Sequence, residues 1–247
     1  MITISTKEIL NKLSLYGLSQ ISFHGIINVG GQNIDITKFH DIVGNIIKEW
    51  LKGWLNKNNI SFANNPNTQM PPDIFLNVED KTKDLLEVKA FNYEASPGFD
   101  IADFKAYQRE IIRQPYMLDT KYIIFGYSMS EEGVVTIKKV WLKNVWEICR
   151  TSDKWPVNVQ FRNGIVHKIR PANWFSNSKR INYTTFECLE DFLAAIEDTV
   201  YKNPDTRDQA IGWKERMEKS YSDFYGKRIT IPRWMDVKDK YLKKPNK

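Results

Sequence analysis

An α/β (α+β) fold is predicted by three observations: a long amphipathic helix pattern, a short hairpin pattern and an apolar run with the character of a central strand. The helix spans about Lys38 to Lys57, with Ile42, Val43, Ile46, Ile47, Trp50, Leu51 and Trp54 as its apolar stripe. The hairpin joins Ile74-Phe75-Leu76 to Leu85-Leu86 and Val88 through a charged turn, Glu79 to Lys83. The apolar run is Tyr122 to Tyr127, followed by a turn at Glu131-Glu132-Gly133 and a strand from Val134. The chain shows no internal repeat and no clear domain boundary, so residues 1–247 are read as a single domain.

The remaining elements follow from local signals. Ser5-Thr6-Lys7-Glu8 is a capping box, opening a helix on Ile9, Leu10 and Leu13 that Gly17 closes. Residues 20–36 alternate weakly around Gly30-Gly31, which predicts a hairpin. Asp100 is the expected N-cap of a helix through about Arg113, with Phe104, Tyr107 and Ile111 on its buried side. Trp141 to Ile148 fits a helix or a strand equally well. Val157 to Phe161 and Ile165 to Ile169 form a hairpin closed by Asn163-Gly164. Thr184 with Glu187 is the expected cap of a helix to about Lys202, which Asn203-Pro204 breaks. A further helix runs to about Tyr225, before a basic tail, 227–247, that is either partly disordered or in contact with backbone phosphates.

Composition narrows the class. Hydrophobic content of 42% and charged content of 27% are ordinary for a soluble globular protein, and no apolar run is long enough for a membrane span. The first residues, MITISTKEIL, lack the basic and apolar regions of a signal peptide. Cys149 and Cys188 flank no His/Cys cluster, so neither a zinc site nor a disulfide framework is expected, and a cytoplasmic location is. The net charge of +6 resides in residues 202–247, where 13 Lys/Arg face 7 Asp/Glu. Lys154 to Arg180 contains six Lys/Arg and no acid, the footprint of a polyanion partner or of a solvated face balanced by the following acidic helix.

The chemistry is concentrated in the hairpin. Asp73 stands at the mouth of its first strand, and Glu87 and Lys89 lie two apart on the second, which points both at one face. Hard oxygen donors on strands suit Mg²⁺, which takes one or two carboxylates together with water and phosphate oxygens. A lysine beside that ion can stabilise a phosphoryl transition state or orient a water. The alternative is a solvated surface hairpin with a Glu/Lys pair. On the preceding helix Glu49 is a candidate third acid, or else a solvent-facing partner of Lys52.

Two polar loops flank this hairpin. Asn64 to Met70 delivers the chain into Pro71, and its Asn67 and Gln69 amides are candidates for contact with a nucleic-acid backbone or groove. Lys105, Arg109 and Arg113 on the next helix could reach phosphates. The loop Ala172 to Tyr183 is small, polar and basic, as base-edge reading requires, since Arg and Lys pair with guanine and Asn with adenine. Sequence reading is expected on Asn173, Ser176, Asn177, Ser178, Lys179, Arg180 and Asn182, an ordinary flexible loop being the alternative.

Pro72-Asp73, thirteen residues, then Glu87-Val88-Lys89 resembles the PD-(D/E)XK nuclease motif. The order of elements is similar to type II restriction endonucleases of the EcoRV/PvuII-like branch. The segments NTQMPPDIFLN, LLEVKAFN and FDIADFKAY resemble the NgoBV/NlaIV family. That resemblance implies a restriction-endonuclease-like central mixed sheet flanked by helices. It also implies a homodimer on double-stranded DNA, with each subunit cutting one strand with Mg²⁺. Asp73 and Glu87 would be metal ligands, Lys89 would help activate the water, and the target would be GGNNCC, cut bluntly at its centre. Two rivals stand beside this reading. A repair or junction nuclease of the same fold would cut according to DNA structure, and a DNA-binding module would bind in a salt-sensitive way without cutting.

Overall fold

The structure, a computed structural model, describes residues 1–35, 40–67, 70–175 and 183–242. In chain order its first elements are α1 (Thr6–Tyr16), β1 (Ser22–His24), β2 (Ile26–Val29), β3 (Gln32–Asp35), α2 (His40–Lys57), β4 (Ala63–Asn64), β5 (Ile74–Phe75) and β6 (Leu85–Asn92). They are followed by β7 (Ala102–Asp103), α3 (Phe104–Arg113), β8 (Lys121–Met129), β9 (Val134–Lys143), β10 (Val159–Arg162) and β11 (Ile165–Ile169). Three helices end the chain: α4 (Leu189–Lys202), α5 (Trp213–Tyr225) and α6 (Trp234–Val237). The chain divides into two compact units, one made of Met1–Phe99 and Thr120–Lys143, the other of Asp100–Asp119 and Asn144–Lys247. No helix among the described residues is long and apolar enough to cross a membrane.

The first unit holds a six-stranded mixed sheet in the order β1-β9-β8-β6-β5-β4. β6 and β8 run parallel from Leu86↔Lys121 to Asn92↔Tyr127, and the other neighbours are antiparallel. α1 begins on the expected capping box: Ser5 Oγ accepts from the Glu8 N–H, and the Ser5 N–H donates to Glu8 Oε2. Ile9 and Leu13 of α1, and Val43, Ile47, Leu51, Trp54 and Leu55 of α2, are buried at helical spacing. They form one core with Ile74, Leu86, Val88, Ile123 and Phe125. The weak alternation before α2 contains two devices: β2 and β3 form the hairpin turning at Gly30-Gly31, whereas β1 pairs with β9.

Alternation along β6 separates two chemistries. Leu86 and Val88 join the α1/α2 core, while Glu87 and Lys89 take the other positions. Of β6, β5 pairs only with Leu85 and Leu86. Beyond them, among the described residues, no strand covers that side of β6. The sheet therefore ends in an open edge beside Glu87.

The second unit carries a three-stranded sheet, β10-β11-β7, with α3 to α6. The β10–β11 turn is the expected one, Asn163 and Gly164 both having positive φ (51° and 82°), as a type I′ turn requires. Two expectations are corrected here. Asp103, not Asp100, caps α3, accepting from the Ala106 N–H at 3.0 Å. Ala102 and Asp103 are held extended against Ile169 and Lys168, so the helix cannot start earlier, and Asp100 pairs with Arg170 instead. The helix after the polar loop starts at Leu189, because Phe186 is drawn into a cluster with Phe192, Trp234 and Tyr241 and its N–H donates to Cys149 O. The segment after α5 is packed through Tyr241, with Ile229, Ile231, Trp234, Val237 and Tyr241 buried. Residues 243–247 lie outside the described residues. The unassigned stretch from Trp141 is strand through Lys143, then a 3₁₀ turn, Trp146–Ile148.

Candidate active site

The antiparallel register of β5 and β6 places Ile74 opposite Leu86, which sets Asp73 beside the start of the open edge. The Val88 N–H donates to Asp73 Oδ2 at 3.0 Å, and Lys48 Nζ from α2 donates to Asp73 Oδ1 at 3.0 Å. Glu87 Oε1 lies 2.8 Å from Lys89 Nζ. All four side chains line one cavity of about 540 Å³, whose wall is built from α2, β6 and the segment after it, through Phe99. The geometry brings Asp73, Glu87 and Lys89 together as the spacing of the sequence predicts.

Burial divides their roles. The Glu87 side chain is 8% exposed, against 18% for Asp73, 20% for Lys89 and 28% for Lys48. Burial pushes the Glu87 carboxyl above the usual carboxylate range, Lys89 pulls it back down, and the Asp73 charge raises it again. Two carboxylates in one cleft, one of them desolvated, would be relieved by a cation bound there. The donor set fits a hard divalent ion. Two carboxylates with room for water and phosphate oxygens match Mg²⁺ preferences, and the described residues contain no group of three or more His, Cys, Asp or Glu that would suit an all-protein metal cage.

The other expected residues are placed as follows. Glu49 is 66% exposed, pairs with Lys52 at 2.8 Å and does not line the cavity. Gly44, Asn45 and Lys48 share the face of α2 that meets the cavity, spanning about 100° of an ideal helix, and Glu49 lies about 40° beyond the Asn45 edge of that face. Asn67 is exposed, its N–H donating to Asn65 Oδ1. Gln69 lies outside the described residues, as do Ser176, Asn177, Ser178, Lys179, Arg180 and Asn182. Asn173 is half-buried in the second unit. Lys105 pairs with Asp205, and Arg109 and Arg113 with Glu110.

Lys48 is the member that the sequence motif does not include. The available signal was its position on the polar side of α2, one turn after Asn45, on a helix that leads towards Asp73. Only the packing of α2 against β6 shows which polar residue of that helix faces the carboxylates.

Comparison with known proteins gives concordant results for sequence and structure. The model of the NgoBV restriction endonuclease family matches residues 3–241. The chain is 54% identical over 245 residues to the type II restriction enzyme NlaIV of Neisseria lactamica, spanning 99% of this chain and 100% of that protein. It is 48% identical over 159 residues to the type II restriction enzyme NgoBV of Neisseria gonorrhoeae, spanning 64% of this chain and 90% of that one. The solved structure of the NlaIV restriction endonuclease superposes with a TM-score of 0.92 at 52% identity, covering 99% of both chains. The mixed sheet with its cleft of two carboxylates and two lysines is thus the restriction-endonuclease fold, and the chain belongs to the NgoBV restriction endonuclease family.

Proposed function

We propose that this chain is a cytoplasmic type II restriction endonuclease that hydrolyses phosphodiesters of double-stranded DNA with Mg²⁺, acting as a homodimer in a restriction–modification system. The proposed target is GGNNCC with a blunt central cut, on the strength of the resemblance to the NgoBV/NlaIV family. The observation that carries the catalytic reading is the convergence of Asp73, Glu87 and Lys89 at the open edge of β6, in a cleft large enough for a phosphodiester.

In this reading Asp73 and Glu87 hold the cation. Bound there, the cation would supply Lewis-acid stabilisation of the phosphate and of an attacking water. Asp73 is oriented for this by the Val88 N–H. Lys89, on the same strand face as Glu87, orients the attacking water and offers positive charge to the phosphate oxygens as charge develops. Water attacks phosphorus in line as the P–O3′ bond breaks, the water giving up a proton and the departing 3′-oxygen gaining one, which leaves a 5′-phosphate and a 3′-hydroxyl. Asn67, Gln69, Asn173, Ser176, Asn177, Ser178, Lys179, Arg180 and Asn182 are the proposed DNA contacts, the last seven being the base readers.

Digestion of long duplex DNA with purified protein and Mg²⁺, with the ends mapped, tests this function. Discrete fragments ending within GGNNCC, lost in Glu87→Ala and Lys89→Ala, are the expected result. Random or structure-selective cutting overturns the sequence-specific reading. Salt-sensitive binding without cutting across a range of metals overturns the enzyme.

A further inference from the structure

Asp73 accepts two hydrogen bonds of different kinds. The one from Val88 N–H is part of the sheet edge and cannot leave without moving β6. The one from Lys48 is a flexible ammonium on a four-carbon stem, 28% exposed, reaching into the cleft from α2. An ammonium 3.0 Å from Asp73 Oδ1 takes up lone-pair capacity of a carboxylate that would also hold a divalent ion. Like charges that close repel even when partly solvated. Lys48 is therefore a competitor of the cation for as long as it stays on Asp73. Lys89, paired with Glu87 2.8 Å away, compensates the second carboxylate in the same manner.

We propose that Lys48 is an exchangeable counter-charge: it pairs with Asp73 in the free protein and passes to a DNA phosphate oxygen when DNA and the cation bind. This inference rests on the catalytic reading of the site given above. The chemistry of the exchange is balanced without any covalent change. One ammonium leaves one anionic oxygen for another, and each carboxylate keeps a cation beside it with and without ligand. Arg at this position would keep the charge, whereas Met would keep much of the apolar stem and lose the charge. A purely structural lysine would behave differently, since its removal would leave Asp73 less well held and weaken the binding of the cation.

The test separates metal binding from cleavage. Mg²⁺ affinity is measured by calorimetric titration of the DNA-free protein, and single-turnover cleavage is measured at saturating Mg²⁺, for wild type, Lys48→Met, Lys48→Arg and Asp73→Asn. Lys52→Met, on the same helix but paired with Glu49 outside the cleft, serves as the folding control. The expected result for Lys48→Met is Mg²⁺ binding tighter by about fivefold, the scale of a partly exposed ion pair. Its cleavage is expected to be slower by about 10- to 100-fold, the scale of a lost charge-assisted hydrogen bond. Lys48→Arg is expected to restore wild-type metal affinity and part of the rate. Weaker metal binding together with slower cleavage in Lys48→Met overturns the exchange in favour of a structural prop. Unchanged affinity and rate overturn it as well. Asp73→Asn that binds Mg²⁺ and cleaves like wild type overturns the catalytic reading itself, and the role of Lys48 with it.

Discussion

The main-chain N–H of Val88 donates to Oδ2 of Asp73 at 3.0 Å, so the strand that carries Glu87 and Lys89 also fixes the carboxylate that precedes it in the chain. This bond exists because β5 is only two residues long and leaves the next donor of β6 to a side chain. A strand edge normally needs another strand or water to satisfy it. Here a carboxylate meets that need and becomes rigid in doing so.

Asp73→Asn keeps an oxygen for the Val88 N–H but loses the anionic partner of Lys48. Outer-shell partners of metal sites cost about 10- to 100-fold when removed, so Asp73, as a proposed direct ligand, is expected to cost more than about 100-fold in cleavage rate. Single-turnover assays across a Mg²⁺ series should show the loss persisting at saturation, with the circular dichroism spectrum unchanged.

Glu87→Gln should trade activity for stability. The folded-state carboxyl titrates above its unfolded value, first because of burial. The charged form is thus the one that the fold disfavours: the favourable contribution of the bound proton, complete below the unfolded pKa, is lost as pH rises through the raised folded pKa. At neutral pH the Gln variant is expected to be more stable by about 0.5–2 kcal/mol, and inactive. Urea denaturation at neutral and acid pH, without metal, should show that gain vanish once Glu87 is protonated in both states.

The same titration tests the coupling between the two carboxylates. Asp73 raises the Glu87 pKa and Lys89 lowers it, so Asp73→Asn should move the Glu87 midpoint down and Lys89→Met should move it up. Carboxyl-detected NMR of the metal-free protein reads both directions.

Gly126 marks a close approach on the central strand. A Cβ there would meet ring atoms of Trp141 at 2.9 and 3.0 Å and of Tyr93 at 3.0 Å. The two rings stack on each other, 6.0 Å apart, with Phe91 on the same Trp141. Gly126→Ala must displace this stack, and overpacking of this kind costs about 1–3 kcal/mol. The shift in the urea midpoint, together with the change in tryptophan fluorescence, measures it.

Tyr241 holds the chain end to the second unit. Its hydroxyl donates to buried Asp191 Oδ2 at 2.6 Å and accepts from the Glu187 N–H at 3.2 Å. Tyr241→Phe removes one partner from each group while Asp191 Oδ2 keeps Lys240 Nζ at 3.1 Å, and a lost hydrogen bond costs about 0.5–1.5 kcal/mol. Thermal melts of the variant should show the loss, with cleavage preserved at a temperature well below the transition.

Legibility followed the range of the interaction that decides each element. The capping box at Ser5, the apolar stripe of α2 and the Asn163-Gly164 turn are settled by neighbours within one turn, and the expected elements are present. Start points went wrong where a distant strand or ring outweighed a local signal. Asp100 offered a cap as good as Asp103, but the pairing of Ala102 and Asp103 with β11 moved the start of α3. Thr184 and Glu187 offered a capping box, but burial of Phe186 among Phe192, Trp234 and Tyr241 took the backbone elsewhere.

The site divides along the same line. Period-2 alternation alone placed Glu87 and Lys89 on one face, and a short turn alone brought Asp73 within reach of them, because both follow from chain geometry over a few residues. By itself the sequence also determined that α2 has a polar side, carrying Asn45, Lys48 and Glu49. That Lys48 and not Glu49 meets the carboxylates was decided only by the rotation at which α2 packs on β6. That rotation is set by Val43, Ile47, Leu51 and Trp54 burying against strands far away in the chain; the local stripe marks the buried side of α2, and only its packing on β6 decides which flanking polar residue meets the carboxylates.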